Sequence, residues 1–392
     1  MNTVVKILLK NGNLIDGISD GIRENINVVM EEDKIIEIIK ELPKNLDEYE
    51  VHDCSGKYIL PGLIDCHVHL VWDGSANPQE VINYEPDESI ILDAYAHAMD
   101  TLKLGITTVR DLGAPRGTVM NLRNKINENK LIGPTIVCSG PPIVMTGGHV
   151  HYLGYESDGD REVRKNTRRV LKEGADLVKV MATGGIYTEG EEPGSVQLNL
   201  DELSAAKEEA LKKNKKVAAH ADGIEGIMNC LEVGIDTIEH GIYADRNALE
   251  IMKNQGTYLV PTMKVMRQLT SSPDIPEWAL KKAEAVVQPH FEMLKQAVDI
   301  GVKIATGTDC GGPMTPPKYY YDEMLIMKDA GMNAMEVIKA STSVAADCID
   351  RDDLGAIVNG KKADLLVIDR NPLENLEVLK GEKIIFKNGL IV

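Results

Sequence analysis

The sequence predicts an α/β protein: a (β/α)8, TIM-like barrel carrying a small β-sandwich domain built from both chain termini. Three observations predict it. Short apolar β runs alternate with longer helical stretches through the middle of the chain, the pattern of parallel strands covered on both faces. Eight such units occupy about 290 residues, a barrel's usual length. The two ends, by contrast, are strand-rich and resemble each other. "ILLKNGNLIDG" near the start and "IIFKNGLIV" at the end each place an Asn-Gly turn signal after an apolar run. Neither end has strands enough for a core, so residues 1–58 and 350–392 are expected to combine into one domain, with 59–349 forming the barrel. A doubly wound open sheet is the rival arrangement that periodicity alone does not exclude.

The barrel strands are placed near residues 60–66, 106–110, 134–138, 176–181, 216–219, 235–238, 257–261 and 302–306. Helices are expected over 91–104, 116–129, 160–173, 201–213, 223–233, 245–255 and 277–300. "DELSAAKEEALKK" begins with acidic residues and ends with lysines, as the helix dipole favours. Two long Gly-containing segments, 140–158 and 184–199, follow the third and fourth strands, and loops of that length usually serve function.

Composition narrows the function classes. The formal charge of −18 argues against nucleic acid or an anionic membrane as partner. With only two Phe and two Trp, the core must be aliphatic. The six cysteines are scattered without a C-x-x-C pair, which fits reduced thiols rather than disulfides or a zinc knuckle. The start lacks the features of a signal peptide, and no apolar window is long enough to span a bilayer. A cytoplasmic protein is the expectation.

The polar residues at strand ends carry the chemistry. "GLIDCHVHL" sets His67 and His69 two apart, on one face of a strand. Lys179 interrupts an apolar fourth strand, where it must snorkel, lose its proton or find a counter-charge. His220 ends the fifth strand, His240 the sixth, and Asp309 the eighth. Separately, each has an ordinary explanation as a core histidine or a turn cap. Together they fall at the carboxyl ends of the strands, the face where barrel active sites form. Four imidazoles and a carboxylate there suit zinc or a similar first-row cation.

This pattern resembles the amidohydrolase superfamily over essentially the whole chain. The resemblance implies two divalent metal ions, most simply Zn2+. His67, His69 and Asp309 would hold one and His220 and His240 the other. Lys179, carboxylated by CO2, would bridge them, and an anionic carbamate would resolve the buried lysine. A narrower likeness lies in "GGHVHYLGY", "GADLVKVMATGG" and "DAGMNAMEVIKAST", which resemble the Xaa-Pro dipeptidase (prolidase-like) group and its imidazolonepropionase-related kin. It implies hydrolysis of a C–N amide bond in a dipeptide or N-acyl amino acid by a metal-bridging hydroxide, with Asp309 as general base and then acid. Cyclic amide hydrolysis (imidazolone or hydantoin type) or deamination of a small heterocycle is the alternative; a non-catalytic scaffold would have lost ligands that this chain keeps. His149, His151 and Tyr243 are the expected substrate contacts, with Lys264 pointing to the same face. One position departs from the group: Asp222 stands where the usual A-H-A-Y carries Tyr, and an acidic group there would repel a substrate carboxylate. Relatives are often oligomeric, which admits a homo-oligomer here, though no interface pattern is legible.

Overall fold

The computed structural model describes residues 6–392 and is a mixed α/β protein. One sheet of eight strands runs in the order Leu390–Ile391, Lys383–Lys387, Leu365–Ile368, Tyr58–Pro61, Lys6–Leu14, Arg23–Glu31, Lys34–Ile39, with Tyr49–Asp53 also paired to Lys6–Leu14. Side chains from both halves of this sheet, among them Leu9, Val28, Ile59, Leu365 and Phe386, meet in one apolar cluster.

The two Asn-Gly pairs part company. Asn388 and Gly389 do form the turn between the last two strands. Asn11 and Gly12 instead lie inside the single strand Lys6–Leu14, where the pairing to Arg23–Glu31 shifts register. Asn11 takes a left-handed φ of 60°, and a Cβ on Gly12 would fall 2.4 Å from Ile59 Cδ1. The pair makes a bulge, not a turn, because the neighbouring strand needs the space.

The middle of the chain holds parallel strands. Leu63–Val68, Ile106–Asp111 and Thr135–Cys138 pair in that order. A second sheet contains Val178–Met181, Val217–Ala221, Thr237–His240, Tyr258–Val260 and Lys303–Ile304. Backbone bonds link the two groups at both edges: Asp176 N to Cys138 O at 2.9 Å, and Cys66 N to Thr306 O at 2.9 Å. All seven expected helices form, including Leu200–Leu211, whose start is closed by reciprocal Asn199 and Glu202 hydrogen bonds. Shorter helices at Pro78–Tyr84, Met263–Leu269, Tyr320–Asp329, Ala334–Ala340 and Ser343–Cys348 were not anticipated. The core is aliphatic as composition requires, with Arg110 and Lys179 conspicuous among its fully buried side chains. Among the described residues no helix is long and apolar enough to cross a membrane.

Candidate metal centre

Register places the site. In parallel strands, paired residues share a face, so the pairs Lys179–Ala218 and His220–Glu239 put Lys179, His220 and Glu239 on one side. His240 follows Glu239 and would face away in a regular strand. It sits instead at φ 67°, where the strand ends in a tight Gly241 N to Glu239 O bond of 2.9 Å. That left-handed residue re-aims the ring, whose centroid lies 4.7 Å from that of His220 and 5.1 Å from that of His67. Asp309 is likewise left-handed, at φ 58°. Unfavourable backbone at two such residues is the kind of strain that clusters at functional sites.

Asp65 fastens the first strand to the last. Its carboxylate accepts from the His67 N–H (3.1 Å), the Thr308 N–H (3.1 Å) and the Thr308 hydroxyl (2.6 Å). Asp309 then receives its place through its own N–H, which donates to His67 O at 2.8 Å. His67 Nδ1 lies 2.8 Å from Glu239 Oε2, and His69 Nδ1 lies 3.1 Å from Gly113 O. With both Nδ1 atoms occupied, the Nε2 atoms face Asp309 Oδ1, at 3.4 Å from His67 and 3.3 Å from His69. An imidazole whose far nitrogen bonds a carboxylate or carbonyl is oriented as metal-ligating histidines are. Burial pushes the His67 imidazole down to about 4, so it is neutral at pH 7, the form that can ligate. Burial opposes ionisation of Asp309, but the facing imidazoles and the Lys179 amine outweigh it and hold the carboxyl below the usual range.

His240 Nδ1 is held by the Thr262 hydroxyl at 2.6 Å, and the His220 Nε2 lies 3.4 Å from Gly184 O and 3.3 Å from Asp222 Oδ2. The Lys179 Nζ is buried with no hydrogen-bond partner among the described residues, and so is Asp309 Oδ1. Burial lowers the Lys179 amine to about 8, against the pull of Glu239 and Asp309. Donor atoms of His67, His69 and Asp309 all lie within 4.8 Å of one another. The converging imidazole nitrogens and the orphaned Asp309 Oδ1 fit a bound cation, because a buried carboxylate oxygen otherwise finds a partner.

Two residues supporting the site escaped the sequence reading. Arg110 is fully buried, donating to Cys66 O (2.5 Å), the Thr237 hydroxyl (3.1 Å) and Glu239 Oε1 (2.7 Å). Glu239 therefore bridges Arg110 and His67. A cation inside the apolar run "ITTVRD" is the same signal that marked Lys179, and it was available for Arg110 too. Arg110→Met is expected to destabilise the fold by about 3–5 kcal/mol, since it strands a buried charge on Glu239; denaturant unfolding measures this. Burial opposes the Glu239 charge, but Arg110 and His67 hold its carboxyl at about 2 against an ordinary 4.5. The stabilisation is thus complete above about pH 4.5 and lost as pH falls through about 2.

The expected substrate contacts separate. His149 lines the cavity over the centre, its ring 4.4 Å from that of His220. Its Nδ1 meets the Thr188 hydroxyl at 3.0 Å, and its backbone N–H donates to Gln197 Oε1 at 3.0 Å. The segment 184–199 thus clamps His149. His151 turns to Gly148 O at 3.1 Å and does not line the cavity. Tyr243 lies outside the cavity and is 39% exposed, because Ile242 takes the inward place against Ile186, Val265 and Met266. Lys264 pairs with Asp322 at 3.3 Å and lies over the Tyr319 ring. Asp222 does not face substrate space either: it is fully buried beside His220. Asp222 is thus not in contact range of the cavity space, and a repulsion of substrate carboxylate would act only through the His220 ring beside it.

Parallel strands thus bring imidazoles and a carboxylate to one buried centre of the kind that holds a metal ion in metal-dependent enzymes. The profile described as "Amidohydrolase family" matches residues 58–392, and the chain belongs to that family. A crystal structure of a Xaa-Pro dipeptidase with methionine bound in its active site is 33% identical, with a TM-score of 0.91 and 99% of each chain covered. Ochratoxinase of Aspergillus niger is 28% identical over 95% of this chain and 83% of its own. Imidazolonepropionase of Geobacillus kaustophilus is 27% identical over 95% of this chain and 92% of its own.

Proposed function

We propose that the chain is a binuclear metal-dependent amidohydrolase whose substrate is a dipeptide or N-acyl amino acid. The observation that carries this reading is the gathering of His67, His69, His220, His240 and Asp309 around an unpartnered, buried Lys179 amine. His67, His69 and Asp309 would hold one divalent ion, His220 and His240 a second, and a Lys179 carboxylated by CO2 would serve both; Zn2+ suits this donor set. Divalent ions so bound supply Lewis acidity and an ionised water at neutral pH.

The chain's own residues do the rest. Asp309, ionised at pH 7, takes the proton of the attacking water and passes it to the leaving nitrogen. His149, clamped through Nδ1, presents its other nitrogen to the substrate carbonyl. Glu239 and Thr262 keep His67 and His240 from rotating. We assign the scaffold as an eight-stranded barrel over residues 59–349, closure being supported by the Asp176–Cys138 and Cys66–Thr306 bonds, with a β-sandwich from 1–58 and 350–392.

Purified protein is expected to carry about two equivalents of divalent metal by elemental analysis. Amine release from a panel of dipeptides, N-acyl amino acids and cyclic amides tests the substrate class. The likeness to imidazolonepropionase favours the cyclic amides as second reading; turnover confined to them would replace the first. Absence of metal together with no turnover would overturn both.

A further inference from the structure

Two aromatic side chains that line the cavity carry polar groups that the centre does not use. The Trp72 indole is 6% exposed, and its Nε1 is buried with no hydrogen-bond partner among the described residues. A buried N–H without an acceptor is uncommon, because leaving one unmet is unfavourable by about 1–3 kcal/mol. The Trp72 ring lies against His69, with centroids 4.2 Å apart. Tyr152 stands beside it, ring centroids 6.4 Å apart. Both line the cavity that His149, His220, His240 and Asp309 open into. The Tyr187 hydroxyl on the same wall is already committed, donating to Ala76 O.

The rest of this wall is apolar: Ile186, Val265, Met266 and Leu269. No lysine or arginine lines the cavity among the described residues. Against these four apolar residues a charged substrate side chain would be desolvated without a counter-charge, since Asp309, the acid that lines the cavity, is committed to the centre, whereas an aliphatic or aromatic one would be welcome.

We propose that Trp72 and Tyr152 form a specificity subsite, in which the indole N–H and the phenol O–H donate to the carboxylate oxygen of an amide substrate whose side chain is apolar. This rests on the reading of the centre as an amide hydrolase, and it adds the element that chooses among amides. Two neutral donors can hold a carboxylate where no lysine or arginine lines the cavity, through hydrogen bonds assisted by its charge. Phe in place of either residue keeps most of the ring and removes the donor.

The test compares N-acetylleucine with N-(3-methylbutyl)acetamide, the same amide without the carboxylate, in wild type, Trp72→Phe and Tyr152→Phe. Wild type is expected to favour N-acetylleucine, and each variant to lose about tenfold of that preference, through KM, while its metal content stays at the wild-type level. N-acetylaspartate and N-acetyllysine are expected to be at least about tenfold poorer substrates than N-acetylleucine. An unchanged preference in both variants, or charged side chains accepted as well as leucine, would overturn the subsite. If wild type cleaves no amide at all and holds no metal, the reading of the centre itself fails, which is a different result.

Discussion

Asp309→Asn is expected to keep most of the bound metal and to lose turnover by about 10²- to 10⁴-fold, the range that positioned proton transfer contributes. The argument starts from what the carboxylate does in the fold. Its Oδ1 faces the Nε2 atoms of His67 and His69 and has no hydrogen bond of its own. Its backbone is fixed independently, by the N–H donated to His67 O and by the neighbouring Thr308 clasp on Asp65. A carboxamide of the same shape can therefore occupy the same place, and its oxygen can still ligate. It cannot accept a proton. Elemental analysis and steady-state kinetics on the same preparation separate the two properties. A variant that turns over near the wild-type rate would remove Asp309 from proton transfer, and one that loses its metal would make the residue chiefly a ligand.

What the sequence disclosed was position along strands; what it withheld was partnership. His67, His69, His220, His240 and Asp309 could be seen because each is a polar residue at or near the end of an apolar strand, and Lys179 because it interrupts one; strand ends share a rim in a parallel arrangement. The partner of each imidazole was not visible. Glu239 lies 172 residues from His67 and Thr262 22 residues from His240, and no local pattern records such pairings. Substrate contacts were harder still. A residue three beyond His240 can point in or out according to one backbone torsion, and the turn through Gly241 at φ 69° sends Ile242 inward and Tyr243 outward. The same limit explains Asn11-Gly12: Asn-Gly favours left-handed backbone, but whether that yields a turn or a bulge depends on Ile59, which only the folded sheet brings near. Trp72 had a signal that went unused, since an aromatic three residues past His69 is notable in a chain with two Trp.

The second large effect concerns Lys179. Replacing it by Met, similar in length and uncharged, is expected to remove at least about one equivalent of metal. Activity is expected to fall by at least about 100-fold, the most that losing even an outer partner of a ligand does. The wild-type residue offers a sharper measurement. Carboxylation needs the neutral amine, because only its lone pair can attack CO2. With the amine lowered to about 8 by burial, about one molecule in ten is neutral at pH 7 and about half at pH 8; an ordinary lysine would be neutral in fewer than about one in a thousand at pH 7. Reactivation of metal-stripped protein by added divalent ion is therefore expected to require dissolved CO2. At fixed CO2 it is expected to quicken about fivefold from pH 7 to pH 8. The direction follows from the sign: raising pH deprotonates the amine and speeds its capture. Reactivation equally fast in CO2-free buffer would show that Lys179 works as a plain amine, and the proposed pair of ions would then need another bridge. Glu239, already committed to Arg110 and His67, is not free to supply one.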